Sequence, residues 1–454
     1  MTVGAKPSRR NGIVRFTAEI AGHLIISAHA LILAARFQIR CYRLRTTLDG
    51  KSNIEFSLML KPEIYDVLVV GRGLLGSAAA RHLALENLKV ALVGPTEAQN
   101  ISSGKVFASH YDDTRVQRII AHNELWTRLN LDSARSWKSL QESTGIEFYK
   151  PNGCIYLNKF QDGYLQSVPS LAKEFGLQFK ALDSNEDLRN VSPELHFEGE
   201  IHGIYESDLA GLINPRKLVS AQLQSFVELG GLEINDVVTK IDKEKGAWAV
   251  KTASGVEYYA EKVLIAAGAF ANFENLLPRK LDFQNKSEVV ILAQLSEIDY
   301  GRLKKMPSLL YEIKNEEFDG IYLTAPTKDQ SGNYVMKMGL NQRTDLDLND
   351  QADMNEWFAR NSYEPFSPVL ERELKGLFPQ ISPIKTSLKP CVISRTKTEN
   401  PYIGEVEDSL FVLHGCNGYS AMSSDAQGRQ AVALITTGKF DSGYSESDFE
   451  LVYK

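Results

Sequence analysis

The chain has 454 residues, of which 43% are hydrophobic and 24% are charged, and its formal net charge is −6. This composition is ordinary for a globular protein of two or three domains, at roughly 100–200 residues per domain. The mild acidity, without zinc-spaced cysteines or an RNA-binding signature, argues against a nucleic-acid partner. The four cysteines are scattered along the chain and are too few for a disulfide framework, which favours a reducing compartment.

The leader, residues 1–58, differs in composition from the rest of the chain. Basic residues dominate it, and the only acidic residues from Lys6 to Asp49 are Glu19 and Asp49 itself. Its apolar stretch Ile20–Phe37 is short for a membrane span and contains histidines, so no stable membrane insertion is expected. An arginine-rich, acid-poor leader is typical of a mitochondrial or other organelle transit segment. The alternative is a cytoplasmic protein that starts at Met59, with a leader that has no fold of its own.

A glycine motif lies in the segment Tyr65–Gly94. The apolar run Val67–Val70 predicts a parallel strand that is covered on both faces. Gly71, Gly73 and Gly76 follow with G-x-G-x-x-G spacing, and a predicted helix and a second buried strand come next. Such glycines allow a tight turn, the close approach of a diphosphate and close helix–strand packing. The segment therefore predicts a dinucleotide site, with the diphosphate at the helix N-terminus, and the alternative is a tight turn that binds no ligand.

The motif departs from the usual pattern at two positions. Gly94 stands where an acidic residue normally closes the second strand and binds the ribose. Glu97 could take that role from the loop. Arg72 is bulky for its position, although its charge could favour the diphosphate. The identity of the nucleotide must therefore come from the rest of the chain.

The segment Gly211–Gly231 predicts a helix with clear start and stop signals. Asn214 is a candidate N-cap, Pro215 suits the first turn, and Gly230 suits the end. A strand and a hairpin turning near Ser254 are predicted next, followed by a buried strand that leads to Gly268. An NAD dehydrogenase has no obvious need for this second buried strand ending in glycine, so the pattern favours FAD.

At this point the sequence resembles the FAD-dependent amino-acid and amine oxidases of the D-amino-acid oxidase superfamily, especially the monomeric sarcosine oxidase and N-methyltryptophan oxidase group. The resemblance covers roughly Tyr65–Phe440. It implies an α/β fold, with a Rossmann-like FAD-binding domain assembled from discontinuous segments and an antiparallel-sheet substrate domain. The implied ranges are 65–150, 206–280 and 385–440 for the FAD-binding domain, 151–205 and 281–384 for the substrate domain, and 441–454 for a C-terminal tail. The sheet strands are expected within Ser287–Ser296, Ser308–Ile313, Gly320–Pro326 and Tyr334–Leu340.

The resemblance also implies which residues contact the cofactor. They are Gly71, Gly73, Leu74, Leu75, Gly76, Ser109, His110, Thr114, Arg115, Val238, Gly268, Cys391, Gly415 and Gly418. A cysteine at the position of Cys391 bonds covalently to the 8-methyl carbon of the flavin in sarcosine oxidase. The alternatives are that Cys391 is an ordinary core residue, or that Cys416 takes its place.

Two arginines and a lysine are the candidate catalytic residues. Arg115 and Arg118 are three residues apart, which predicts one helical face, and a solvated cationic stripe is the alternative. By resemblance, Arg115 lies beside the flavin and Arg118 binds the substrate carboxylate through its planar fork of donors. Lys337 lies in an otherwise apolar strand, and by resemblance its charge assists the reaction of reduced flavin with O2. The alternative is an edge-strand lysine that faces water.

The substrate side departs from sarcosine oxidase. The differing positions are Tyr111, Asn341, Ile393, Tyr419 and Met422, and the last four are expected to line the substrate pocket with Arg118. The pocket should be more apolar, so a larger or less anionic secondary amine is expected rather than sarcosine.

The expected activity is oxidation of a secondary amine or N-substituted amino acid, with hydride transfer to flavin and reoxidation by O2 to give hydrogen peroxide. The alternatives are a D-amino-acid or glycine oxidase, an acceptor-linked dehydrogenase, or a non-catalytic flavin-binding protein. The expected partners are the amine and O2, and a monomer is favoured.

Overall fold

The computed structural model describes residues 63–98, 106–159, 163–244, 246–273, 276–415 and 417–454, and five short strands before them. The chain divides into two units, Met1–Glu63 and Ile64–Lys454. In the first unit the strands are Ser8–Arg10 (β1), Ile13–Phe16 (β2), Arg45–Thr46 (β3), Ser52–Asn53 (β4) and Phe56–Met59 (β5). β1, β2 and β5 form one antiparallel sheet, and β3 pairs with β4. The predicted transit-like segment Ile20–Phe37 lies outside the described residues.

A parallel sheet forms the centre of the second unit. Its strands are Ile64–Val70 (β6), Val90–Val93 (β7), Leu232–Ile234 (β14), Glu257–Ile265 (β17) and Leu410–His414 (β24). They run parallel in the order β14-β7-β6-β17-β24. The middle strands are almost continuously apolar and buried on both faces, as the sequence predicts for β6.

Antiparallel strands extend this sheet. Val238–Glu244 (β15) pairs with Ala247–Thr252 (β16), which pairs with β17 through the predicted hairpin at Ser254. Tyr402–Glu407 (β23) pairs with β24. The elements of the sheet thus come from three separate stretches of the chain, as the predicted discontinuous domain requires.

Four helices cover the parallel sheet. They are Leu74–Leu85 (α1), Glu124–Thr144 (α2), Pro215–Glu228 (α5) and Ser420–Thr437 (α9). The start of α5 is as predicted, because the side chain of Asn214 accepts a hydrogen bond from the backbone N–H of Lys217. α9 packs closely on α1 through small residues, since a Cβ on Gly428 would lie 2.8 Å from the backbone nitrogen of Ala79.

A second, eight-stranded sheet carries its own apolar core. Its strands are Lys180–Leu182 (β11), His202–Glu206 (β12), Cys154–Asn158 (β10), Ser308–Glu312 (β19), Phe318–Lys328 (β20), Tyr334–Gln342 (β21), Phe283–Gln294 (β18) and Lys385–Thr396 (β22), in that spatial order. Only β10 and β19 pair in parallel. All four predicted sheet segments overlap with these strands; two of them extend one or two residues past the ends of β18 and β19. β22 joins this sheet by pairing with β18 along its whole length, although its residues fall in a range predicted for the FAD-binding domain. The predicted domain boundaries stay a prediction.

A small sheet joins Arg115–Gln117 (β8), Gly211–Ile213 (β13) and Tyr149–Lys150 (β9). The prediction that Arg115 and Arg118 share a helical face is therefore wrong. β8 is extended because β13 pairs with it in antiparallel register, a contact between residues distant in sequence.

The remaining helices lie around the eight-stranded sheet. They are Gly163–Phe175 (α3), Asn185–Val191 (α4), Glu297–Leu303 (α6), Gln351–Ala359 (α7) and Ser367–Leu377 (α8). In the part of the chain that the structure describes, no helix is long and apolar enough to cross a membrane.

Candidate active site

Two cavities meet between the parallel sheet and the eight-stranded sheet. The cofactor cavity begins at Gly71 and Gly73 and extends past Val238 and Gly268. The substrate cavity lies against β8 and the start of α9. Both cavities are lined by Leu74, Ser109, Val392 and Ser420. A molecule in the first cavity therefore shares a wall with a molecule in the second.

The glycine corner is built so that larger residues do not fit. Gly71 has a φ of 114°, and a Cβ there would lie 2.3 Å from the carbonyl oxygen of Ala266. A Cβ on Gly76 would lie 1.8 Å from the carbonyl oxygen of Gly71. At Gly73 the nearest atom is the Nδ1 of His110, at 4.0 Å, so this face is open. α1 starts at the corner without a side-chain cap, which leaves its first backbone N–H groups available to a diphosphate.

The departures from the usual motif have a physical cause. A Cβ on Gly94 would lie 2.5 Å from the Cβ of Arg72, so an acidic side chain does not fit there. The guanidinium of Arg72 donates through Nε to Glu233 at 2.7 Å, which engages its charge with a carboxylate. Glu97 receives two hydrogen bonds of 2.6 Å from Arg216. The carboxylate proposed for the ribose is thus already paired with a cation.

The predicted cofactor residues fall into three groups by position. Those that line the cofactor cavity are Gly71, Gly73, Leu74, Leu75, Ser109, Val238, Gly268 and Gly415. Arg115, Cys391 and Gly418 line the substrate cavity, together with Leu74 and Ser109. Gly76, His110 and Thr114 line neither cavity; Gly76 packs under the corner, and His110 and Thr114 are buried. Sequence reasoning missed His414, which lines the cofactor cavity and contacts Phe283, with ring centroids 3.9 Å apart and ring planes tilted by 32°.

All five predicted substrate-side residues line the substrate cavity, namely Arg118, Asn341, Ile393, Tyr419 and Met422. Arg118 is 5% exposed, and its guanidinium lies over the rings of Tyr156, Tyr164 and Tyr419 at 5.7, 5.3 and 5.7 Å. Within the described ranges it makes no ion pair, and its Nε has no hydrogen-bond partner. A buried cation with an unsatisfied donor is costly unless a ligand supplies the acceptor.

Glu206 is a buried carboxyl group that interacts electrostatically with Arg118. Its Oε2 accepts hydrogen bonds from the backbone N–H groups of Ile119 and Ile120, at 3.0 and 2.9 Å. Burial raises the pKa of Glu206 to about 7, against the lowering effect of these hydrogen bonds and of Arg118. Because much of this carboxyl is protonated near neutral pH, it compensates the charge of Arg118 only in part.

Lys337 is held in a group of three charged side chains that sequence reasoning did not foresee. Its side chain is 1% exposed, and its strand β21 lies between two other strands of the sheet. The alternative of an edge-strand lysine that faces water is therefore wrong. Its Nζ donates to Asp112 and, at 2.9 Å, to the carbonyl of Thr114. Arg115 pairs with the same oxygen of Asp112 at 2.6 Å. Burial lowers the pKa of Lys337 to about 8, and Lys337 and Arg115 hold the pKa of Asp112 well below its usual range despite burial.

Cys391 lies next to Arg115 at the wall of the substrate cavity. Its Sγ is 3.7 Å from a terminal nitrogen of Arg115, and its carbonyl accepts a hydrogen bond of 3.0 Å from the indole of Trp357. Burial raises the pKa of the Cys391 thiol, and the lowering effect of Arg115 does not outweigh it. The thiol is thus protonated at neutral pH before any flavin binds. Covalent attachment stays a prediction, and Cys416 lies outside the described residues.

Comparison with known proteins gives a match between residues 66–434 and the model of a family described as FAD dependent oxidoreductase. The chain belongs to the FAD dependent oxidoreductase family. An N-methyl-L-tryptophan oxidase of Yersinia pestis is 26% identical over 216 residues, which are 47% of this chain and 56% of that protein. The chain thus spans about half the length of the curated relatives that it matches.

Two solved structures have the same fold as this FAD dependent oxidoreductase. NikD, described as an unusual amino acid oxidase essential for nikkomycin biosynthesis, superposes with a TM-score of 0.69 at 17% identity, over 86% of this chain and 98% of NikD. A glycine oxidase from Geobacillus kaustophilus superposes with a TM-score of 0.65 at 19% identity, over 86% and 98% of the two chains. These likenesses agree with the predicted two-part α/β fold.

The residues of the cofactor cavity fit FAD. The uncapped start of α1 and the open face of Gly73 suit the diphosphate. The Nδ1 of His110 is buried without a hydrogen-bond partner near that face, as expected if a ligand completes its environment. The cavity also reaches the shared wall at Leu74 and Ser109, where the flavin end of an extended FAD would meet the substrate cavity.

Proposed function

We propose that this FAD dependent oxidoreductase is an oxidase of a secondary amine or an N-substituted amino acid. The observation that carries the proposal is Arg118, a buried guanidinium without an ion pair in the described structure, in a cavity that shares a wall with the cofactor cavity. The partial similarity to N-methyl-L-tryptophan oxidase supports an N-substituted amino acid as the substrate class.

Arg118 would bind the substrate carboxylate. Its planar fork of donors matches two carboxylate oxygens, and the tyrosine rings around it leave little room for water. A hydrogen-bonded charge pair of this kind contributes about 1.5–3 kcal/mol to binding, which is about one to two decades in affinity. The apolar side chains of Ile393 and Met422 on the same cavity suit a substrate larger than sarcosine.

When bound, FAD supplies the acceptor for the hydride from the carbon next to the amine, and O2 then takes the electrons to give hydrogen peroxide. The residues of this chain orient the substrate and exclude water from the cavity. Lys337 lines neither cavity, but its buried ammonium shares Asp112 with Arg115, and Arg115 lines the substrate cavity. From behind that wall its charge would stabilise negative charge that develops on oxygen.

An acceptor-linked dehydrogenase is the second candidate, and the position of Asp112 favours it. This carboxylate binds Lys337 and Arg115 together, so it compensates part of the positive charge that would assist O2. A protein that transfers electrons to another acceptor would not need that charge.

The test begins with the colour of the purified full-length protein and its flavin absorbance. Hydrogen peroxide is then measured with a panel of N-methyl and cyclic amino acids, and a redox dye replaces O2 in a parallel series. Peroxide release with at least one secondary amine supports the oxidase, and dye reduction without peroxide supports the dehydrogenase. A folded protein that takes up no flavin, or that binds flavin but is reduced by no amine, would overturn the proposal.

Arg118→Met is the matched variant for this test. It should raise the KM for the active amino acid at least tenfold, because the carboxylate loses its cationic partner. The control is Arg128→Met, because Arg128 pairs with Glu124 on the surface of α2, away from both cavities.

A further inference from the structure

Glu288 is a buried carboxylate in the substrate cavity that the proposed function has not used. It lies on β18, is 3% exposed, and lines the cavity together with Arg118. Its Oε1 is buried and has no hydrogen-bond partner. A carboxylate oxygen in this state has lost its water without gaining a donor, which is costly unless a ligand provides one.

The surrounding cations do not satisfy Glu288. Arg115 acts on it only through space, because the guanidinium of Arg115 is already bound to Asp112 at 2.6 Å and to the carbonyl of Ser109 at 2.9 Å. Among the residues that the structure describes, Glu288 makes no ion pair within 4.0 Å. Tyr322 is the one side chain that hydrogen-bonds Glu288 among the causes of its pKa shift. Burial, and then the charge of Glu288, raise the pKa of Tyr322, so the phenol stays protonated and donates.

Arg118 and Glu288 together give the substrate cavity a distinctive charge pattern. One is a buried guanidinium with an unsatisfied Nε, and the other is a buried carboxyl group with an unsatisfied Oε1. They do not pair with each other, so both remain available to a third group. An amino acid carries the complementary charges, a carboxylate for Arg118 and an ammonium for Glu288.

We propose that Oε1 of Glu288 binds the amine nitrogen of the substrate and accepts its proton before the hydride leaves. In this step an N–H bond of the ammonium breaks, its electron pair stays on nitrogen, and an O–H bond forms on Glu288. The products are a neutral amine and a neutral carboxylic acid, so charge is conserved. The inference rests on the proposed function, because it assigns this role toward the same substrate.

The surroundings of Glu288 suit a proton acceptor. Burial raises its pKa above the ordinary range, and the phenol of Tyr322, Arg115, Lys337 and Arg395 act in the opposite direction. Asp345, whose pKa is raised to about 8 by burial and by Glu288, and the thiol of Cys391 across the strand pair also lie near it. A carboxyl with a raised pKa takes a proton from an ammonium more readily than an ordinary one does.

The test compares Glu288→Gln with the wild-type holoenzyme and with Glu316→Gln, a control at an exposed position outside the cavity. Two ligands are compared without O2. The best N-methyl amino acid from the panel is followed by stopped flow, where the concentration dependence of the rate of flavin reduction gives its Kd. The matching acid, in which a thioether replaces the amine, is titrated against the flavin absorbance. We expect Glu288→Gln to weaken binding of the amino acid about tenfold or more, and to leave the thioether acid unchanged or bound more tightly. Equal losses for both ligands, or no loss for either, would overturn the inference.

The pH profile gives the readout that a merely structural role would not change. In wild type the rate constant for flavin reduction should rise with pH as Glu288 ionises, and this ascending limb should be absent in Glu288→Gln. If that variant does not fold, Tyr322→Phe serves instead: it removes a hydrogen bond that lowers the pKa of Glu288, so the limb should move to higher pH. An unmoved limb in Tyr322→Phe, or an intact limb in Glu288→Gln, would contradict the inference. The proposed function fails separately, through absence of flavin or of reduction by any amine.

Discussion

Replacing Asp112 by Asn tests whether one carboxylate holds Lys337 and Arg115 in the interior. The side chains of Lys337 and Asp112 are 1% and 8% exposed, so both charges lie in a medium of low dielectric constant. Removing the carboxylate leaves two buried cations close together without their shared acceptor. Breaking a buried pair in this way costs about 3–5 kcal/mol, and we expect Asp112→Asn to lower the free energy of unfolding by that amount.

Urea unfolding at pH 7, followed by tryptophan fluorescence, measures this loss. The matched control is Asp113→Asn, since Asp113 is the next residue and pairs with Arg216, which keeps Glu97 as a second acceptor. It should cost about 1 kcal/mol or less. In the double variant Asp112→Asn with Lys337→Met, the buried ammonium is gone, so the summed single losses should exceed the double loss by about 1–3 kcal/mol. Losses that add within about 0.5 kcal/mol would refute the reasoning.

The same ion group predicts a pH dependence of stability. The folded-state pKa of Lys337 is about 8, below its ordinary 10.5, so the folded protein releases this proton at lower pH than the unfolded chain does. The unfolded state then binds more protons between those pH values, and the free energy of unfolding should rise there, by about 3 kcal/mol in all. Lys337→Met should flatten this rise. An unchanged slope would mean that Lys337 does not titrate in this range.

Three further predictions concern the flavin. Gly76→Ala should abolish flavin retention, because the new Cβ would lie 1.8 Å from the carbonyl oxygen of Gly71; absorbance of the purified protein after gel filtration measures it. Lys337→Met should slow reoxidation of reduced flavin by O2 far more than reduction by the amine, as measured by stopped-flow absorbance of the two half-reactions. Acid denaturation of wild type should leave flavin on the protein, and Cys391→Ala should release it.

Each of these predictions has a control and a contrary result. Gly376→Ala adds a Cβ in α8 where no atom lies within 4 Å, so it should keep the flavin. Lys385→Met changes an exposed lysine of β22 and should leave both half-reactions unchanged. Cys154→Ala alters the other free cysteine of the described chain and should not release flavin. Flavin retained by Gly76→Ala would contradict the role of the glycine corner. Equal slowing of both half-reactions in Lys337→Met would contradict the role of Lys337. Release of flavin from denatured wild type would contradict covalent attachment.

Elements governed by local chemistry could be predicted from the sequence. The glycine corner and the helix that starts after Asn214 depend on short-range signals such as glycine spacing and capping. Four strands of the eight-stranded sheet were expected from the resemblance, and the sheet also contains four others. The strand Arg115–Gln117 could not be predicted in this way. Its partner Gly211–Ile213 is far along the chain, and a three-residue strand carries too little pattern to oppose a helical interpretation.

The candidate site shows the same division. The residues carried over by resemblance at the substrate side do line one cavity, because the fold brings β8, β21, β22 and α9 together. Asp112 and Glu288 were missed, since nothing in a single sequence tells whether an acidic residue faces water or a buried cation. The adjacent pair Asp112–Asp113 before Thr114 and the lone Glu288 in an apolar strand were the available signals. Both Lys337 and Glu288 are charged residues within apolar strands, but only Lys337 was predicted to belong to the site.

The strand Leu410–His414 lies beside Glu257–Ile265 in the parallel sheet, and the helix after it packs on the helix that starts at Leu74. A nascent chain on the ribosome therefore lacks one wall of the coenzyme site until this strand and helix have been synthesised. Capture of the coenzyme should follow the release of this strand and helix from the exit tunnel. Chains that terminate before residue 410 should accumulate without colour, however well their first βαβ unit folds.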